Sequence, residues 1–204
     1  MTNALTKTGS TDNFAIAASS SQSSAISGER LRFSKGQYLI GRGDAERLDI
    51  GTELQAIDIQ AAWVKFLDGK VVDQRVGFPM AERDELGDTD EDEWPMGFDG
   101  TPADPWSNQR YLYLIDPESG AEYTFITSSW GGRAAVETLA RQVYVKRGSL
   151  PGAVATVRLD VGYKRSQRYG NVPAPKFEVV GWNGQAEPEP VSARVVDLDD
   201  DIPF

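Results

Sequence analysis

The 204-residue chain contains neither cysteine nor histidine. Without cysteine there are no disulfides and no thiol chemistry. Without both, thiolate or imidazole zinc sites cannot form, and neither can a Ser-His-Asp or Cys-His nucleophile system. Carboxylate chemistry is what remains, for example Mg²⁺ held by Asp and Glu. Long apolar runs are also missing: nothing approaches the roughly 20 residues that a membrane span needs. Residues 1–30 are rich in Ser, Thr and Ala. They lack the basic-then-apolar order of a secretory signal. The expectation is a cytoplasmic protein with no membrane partner.

Positive charge is scarce in total but not in place. The net charge is −10. Residues 81–105 hold ten acids and one base, and residues 185–204 hold six acids and one base. Setting those two stretches aside leaves about +4 for the rest, and such asymmetry is read by segment rather than in sum. A mildly basic body with an acidic tail fits a nucleic-acid binder that also docks proteins.

The low-complexity stretch Ser19-Ser20-Ser21-Gln22-Ser23-Ser24 cannot bury enough surface to offset its ordering entropy, so residues 1–30 read as a disordered arm. From Leu54 the pattern is extended, with Ile57, Ile59, Ala61 and Trp63 on one face and Asp58, Gln60, Ala62 and Val64 on the other. That period of two predicts a long strand. Asp68-Gly69 signals a tight hairpin, leading to a strand over 71–78. The acidic insertion, 81–105, reads as a loop. Strands follow over 110–116 and 122–127, then a helix over 134–146 that Ser128 or Ser129 caps, then strands over 153–163 and 176–182. Residues 185–204 read as a disordered acidic tail. The order is strand, strand, a strand pair, helix, strand, strand. It matches a mainly β fold, an OB-like five-stranded Greek-key barrel with its helix between the third and fourth strands, occupying residues 31–184. A plain antiparallel α+β sheet is the structural rival.

The sharpest motif closes the sequence: Asp197-Leu198-Asp199-Asp200-Asp201-Ile202-Pro203-Phe204. Phe204 carries an aromatic ring, Pro203 lowers the ordering cost of binding, and Asp197, Asp199, Asp200 and Asp201 supply electrostatic steering. The alternative is an acidic tail that aids solubility. The segment resembles the C-terminal tip of bacterial single-stranded DNA-binding proteins, whose tails end in acids followed by Ile-Pro-Phe. That resemblance covers about eight residues; the body departs from the family's pattern, as in a phage or mobile-element protein presenting a host-type tip. It implies a flexible hook in which Phe204 enters an apolar pocket on a DNA-processing partner of exonuclease, helicase, primosome or polymerase-accessory type, while the carboxylates meet a basic rim.

A second motif lies between the last two predicted strands: Gly162-Tyr163-Lys164-Arg165-Ser166-Gln167-Arg168-Tyr169-Gly170. In an OB-fold this is one of the ligand-binding loops. Lys164, Arg165 and Arg168 interleaved with Tyr163 and Tyr169 suit phosphate contact with base stacking. An exposed hairpin loop with solvated bases is the plainer reading. Trp63, with Lys65 on its face, is the preferred stacking platform among the strand aromatics. Trp130 and Arg133 flank Gly131-Gly132, where backbone amides at a helix start can also meet phosphate. Asp88, Asp90, Glu91, Asp92 and Glu93, with Trp94, Phe98 and Trp106 nearby, suit a Mg²⁺ site, a competitor of DNA, or a solvated loop pinned by its aromatics. One flexible run is a poor scaffold for a two-metal site.

The residues therefore predict a non-enzymatic protein without a cofactor or metal. It binds single-stranded DNA through a basic, aromatic groove, recruits replication and repair proteins through its tip, and leaves room for a homo-oligomer. The alternatives are an adaptor or decoy that displays the tip without binding DNA, and a carboxylate-metal nuclease.

Overall fold

The computed structural model describes residues 28–42, 46–97, 100–166 and 170–183. Among them nine strands form one sheet: β1 (Glu29–Ser34), β2 (Gln37–Ile40), β3 (Arg47–Leu48), β4 (Glu53–Leu67), β5 (Lys70–Val76), β6 (Trp106–Ile115), β7 (Glu122–Thr127), β8 (Val154–Ser166) and β9 (Gly170–Asn183). The helix α1 (Trp130–Ser149) lies between β7 and β8. The sheet runs β3-β2-β1-β7-β6-β4-β8-β9, with β5 attached to β4 alone. The β1–β7 pairing is parallel and the others are antiparallel. The fold is thus mainly β, a curled open sheet forming a half-barrel, with one α-helix among the described residues.

β4 organises the curl. One edge pairs with β6 along most of its length; the other pairs with β8 at Glu53–Ala56 and with β5 from Ala62 onward. A strand that changes partner along one edge forces the sheet to bend there. The register with β6 slips between Ala56 and Asp58, so Ile57 is an extra residue and the alternation inverts. Leu54 and Ala56 are buried before the bulge, Ala61 after it, and Ile57 is exposed. The single unbroken period expected from 57 to 63 is corrected at this point. On the other face Ala62 and Val64 are also buried, packed with Tyr111, Phe66 and Ile126.

The core joins Leu54, Leu112, Leu114, Phe125, Val157, Leu159 and Phe177 to Val136 and Leu139 of the helix. The first strands, absent from the expected element order, complete it. Leu31, Tyr38, Leu39 and Ile40 are buried. Lys35 and Gly36, at φ 51° and 82°, make the two-residue turn whose twist suits a hairpin, pairing Ser34 with Gln37. The Tyr38 hydroxyl lies 2.9 Å from the Asp160 carbonyl and 3.1 Å from both the carbonyl and the amide nitrogen of Lys176. It donates to one carbonyl at a time and accepts from the amide. These hydrogen bonds and the contact of Tyr38 with Phe177 tie β2 to the β8–β9 pair, and its contact with Phe125 ties it to β7.

The expected order held six strands, and residues 29–48 add three, which makes nine; the expected strand over 71–78 is β5, off the main path of the sheet. β1 starts at Glu29, so Glu29 and Arg30 of the expected arm belong to the sheet. The helix begins at Trp130, earlier than expected, because Ser129 caps it by accepting from the Gly132 amide at 3.1 Å. Gly132 is required there: a Cβ would collide with the Thr127 side chain.

The insertion 81–105, expected as a loop, contains two 3₁₀ turns, Arg83–Leu86 and Glu91–Glu93. Arg83 grips both oxygens of Asp104, at 2.6 and 2.7 Å. Asp88 is the second anchor. Its carboxylate accepts from Lys65 and from the Trp106 indole, each at 2.8 Å, and its carbonyl accepts from the Trp94 indole at 2.7 Å. No described helix is long and apolar enough to cross a membrane.

Candidate nucleic-acid interface

At one end of the half-barrel a groove of about 730 Å³ opens between four segments. The β1–β2 turn contributes Phe33 and Lys35, the helix start Trp130 and Gly131, the end of β8 Lys164 and Arg165, and β9 the run from Val172 to Pro175. A neighbouring hollow of about 270 Å³ shares Gly131, Lys164, Ala174 and Pro175 and adds Tyr163 and Lys176. Packing explains why the helix start meets β9: a Cβ on Gly131 would sit 3.1 Å from that of Ala174, so only a glycine permits this approach without displacement.

Three features of the groove suit an anionic, planar ligand. The first is charge. Lys35, Lys164 and Arg165 converge on it, and among the described residues none of the three has a carboxylate partner within ion-pair distance. Lys176, by contrast, is paired with Asp160 at 2.8 Å. The second is an available ring. Trp130 is 66% exposed, and Tyr163 is 70% exposed. The Lys164 ammonium sits over the Trp130 ring at 5.1 Å from its centroid, holding cation and aromatic face side by side. The third is rigidity: Trp130 stands on a capped helix and Tyr163, Lys164 and Arg165 on a long paired strand rather than on a loose loop.

The structure therefore brings together two of the sets singled out in the sequence, Trp130 with Tyr163, Lys164 and Arg165. Arg168 and Tyr169 lie outside the described residues, as do Asp197, Asp199, Asp200, Asp201, Ile202, Pro203 and Phe204. Arg133 does not line the groove; its Nε is buried with no hydrogen-bond partner among the described residues. Lys35 and Phe33 were missed. Their only signal is a Lys-Gly dipeptide between two short alternating stretches, which is weak because Asn and Asp dominate such turns.

Trp63 and Lys65 are elsewhere. They share the face of β4 that the insertion covers. The Trp63 indole donates to the Ala81 carbonyl at 2.9 Å and Lys65 pairs with Asp88. Arg75 and Lys65 lie over the Trp106 ring, at 5.3 and 5.9 Å, and Trp106 is 4% exposed. Here cation, ring and carboxylate are mutually engaged, so neither Trp63 nor Lys65 presents a free face. Lys65 and the Trp106 indole hold the Asp88 carboxyl below its ordinary range by hydrogen bonding to its charged form. The Asp90 carboxylate accepts from the Asp92 amide at 3.1 Å, a local turn contact. Among the described residues no three carboxylates converge as metal ligands, and Phe98 lies outside them.

Comparison with protein-family models, with curated proteins and with solved structures returns no match.

Proposed function

We propose that this protein binds single-stranded DNA in the groove between the β1–β2 turn, the start of α1 and the ends of β8 and β9, and recruits DNA-processing proteins through residues 197–204. The observation that carries the first half is the convergence of Lys35, Lys164 and Arg165 around the exposed Trp130 ring. Cations tracking a backbone beside a ring that stacks bases is the physical basis of sequence-tolerant single-strand binding. Duplex DNA offers no unstacked base to such a ring. The element order supports the same reading. Setting aside β1–β3 and β5 leaves β4, β6, β7, β8 and β9 with α1 between the third and fourth, the order of an OB-type barrel. On that reading the β1–β2 hairpin stands beside the third strand, where it widens the barrel and lends Lys35 to the groove.

The second half rests on the chemistry of Asp199-Asp200-Asp201-Ile202-Pro203-Phe204 and its resemblance to single-stranded DNA-binding proteins. The protein then coats single strands, by origin that of a phage or mobile element, and acts in replication, recombination or repair without catalysis of its own.

Fluorescence anisotropy of labelled oligo-dT and of a duplex of equal length, read across a salt series, tests the binding. Preferential single-strand binding is expected, with log K falling by about 0.7 per phosphate contacted for each unit of log salt. Equal affinity for the duplex refutes the groove reading. Absence of DNA binding, combined with partner capture through the tip, leaves the adaptor reading in its place.

A further inference from the structure

β5 is exposed along its whole length. It pairs with β4 on one edge and with no other described strand, so its second edge is open. Val71, Val72 and Val76 are each about half exposed, and Phe78 just beyond them is 59% exposed. An open edge of this kind is a template for another strand, and its occupant is decided by which strand complements it.

The direction of the backbone groups sets the register. The Gly77 amide donates to the Ala61 carbonyl at 2.9 Å, and Val76, Arg75, Gln74 and Asp73 face Ala62, Trp63, Val64 and Lys65 in turn. In an antiparallel ladder alternate residues point their amides to opposite sides. Arg75 and Asp73 therefore turn theirs toward β4 with Gly77, while Gln74 and Val76 turn theirs to the open edge. A bulge between Val71 and Asp73 interrupts the alternation and blunts the start of the strand, leaving the Gln74–Val76 half as the accessible part.

A two-fold axis through Gln74 satisfies this edge with itself. Gln74 would exchange both backbone bonds with Gln74 of a second copy. On either side of that pair Asp73 would face Arg75 of the second copy, twice by symmetry. Asp73 and Arg75 of one chain are only loosely paired, at 3.7 Å and about half exposed; Arg75 also lies over the Trp106 ring, which holds the guanidinium in place while about half of its side chain still faces solvent. Centring the axis on Asp73 or Arg75 instead would put like charges opposite each other and turn the wrong amides outward. We infer that β5 is a homodimer edge, and that the partner it fits is a second copy of this chain in antiparallel register about Gln74. β5 lies apart from β1, α1, β8 and β9, so the dimer carries two open grooves. The inference stands whether or not those grooves bind DNA.

Sedimentation velocity and light scattering of the full chain test this. A single edge pairing buries less than a standard interface, so the series should run from about 10 to 200 µM. The expected mass rises from 22.3 kDa to twice that value. Asp73→Arg and Arg75→Asp, each checked for an unchanged circular dichroism spectrum, should each be monomeric, since each puts like charges in both pairs. Mixing the two variants in equal amounts should restore a dimer. One chain then presents two arginines across the edge and the other two aspartates, so both cross-strand pairs again join opposite charges. A wild-type monomer throughout the series, single variants that remain dimeric, or a mixture that stays monomeric each overturns the inference.

Discussion

Removing the Trp130 ring isolates the proposed groove from the fold. The residue is 66% exposed at the first position of α1, so Trp130→Ala takes little apolar surface out of the interior. The Lys164 ammonium lies 5.1 Å from the ring centroid, and an exposed cation–π pair of this type contributes about 0.5–1 kcal/mol. Stability should fall by no more than about that amount, because exposed substitutions without other partners cost little. Binding should change more. A stacked base contributes about 1–3 kcal/mol. Part of this is offset in the intact protein when the base displaces Lys164 from the ring. A net loss of about 1–2 kcal/mol remains, about 5- to 30-fold in Kd. Oligo-dT titrations by anisotropy measure the affinity, and urea unfolding measures the stability. Fluorescence provides a direct view, because Trp130 is the only exposed indole among the five described tryptophans: Trp106 is buried and Trp63, Trp94 and Trp182 are half-buried. Quenching by oligo-dT should be largely lost in the variant. An affinity within twofold of the intact protein, or quenching that survives the substitution, refutes the assignment of this ring to the site.

Replacing Lys35, Lys164 and Arg165 by Ala together should lower the slope of log K against log salt by about 2, at about 0.7 per phosphate contact; an unchanged slope removes them from the interface. Tyr38→Phe keeps the ring packing but withdraws the hydroxyl from Asp160 and Lys176, and should cost about 1–2 kcal/mol in urea unfolding. Burial raises the Tyr38 pKa above its ordinary value, so the folded state holds this proton more tightly than the unfolded one. The corresponding stability is present below about pH 10 and is lost as pH rises beyond it; the alkaline loss should be smaller in the phenylalanine variant. Asp88 behaves in the opposite sense. Its pKa is lowered, so its stabilisation is present above the ordinary carboxyl value of about 3.9 and disappears as pH falls below it. Trp106 fluorescence should report loosening of the insertion in acid, and Asp88→Asn should remove that pH dependence. Deleting residues 197–204 should abolish capture of exonuclease or helicase partners in pull-downs and leave oligo-dT affinity equal or tighter, since four acids that compete with phosphate are gone; weaker DNA binding would count against the tail's proposed role.

Much of the element order was legible because local periodicity reports one face against another. The alternation in β4, the Asp68-Gly69 turn, the strands around 110–127 and the helix after Ser129 all follow from near-neighbour chemistry. The β1–β2 hairpin escaped because its strands are short and its turn is Lys-Gly rather than Asn-Gly. The inversion at Ile57 escaped because a bulge inserts one residue without any distinctive residue type.

For function the division is similar. Residue types alone determined that no thiolate or imidazole chemistry operates, that basic and acidic segments are separate, and that Tyr163, Lys164 and Arg165 lie between two strands. Which cations stand free was decided only by tertiary structure. Lys65 and Lys164 each neighbour an aromatic residue in sequence or space, yet the folded insertion brings Asp88 within 2.8 Å of Lys65, while the Lys164 ammonium sits over the Trp130 ring and has no carboxylate within ion-pair distance among the described residues. Charge and burial are properties of the segment that packs opposite, 23 residues from Lys65 along the chain and across the half-barrel from Lys35 to Lys164. No local pattern carries that information, because the insertion folding over β4 pairs Lys65, and the closure of the β1–β2 hairpin against β8 and β9 brings Lys35 to the groove.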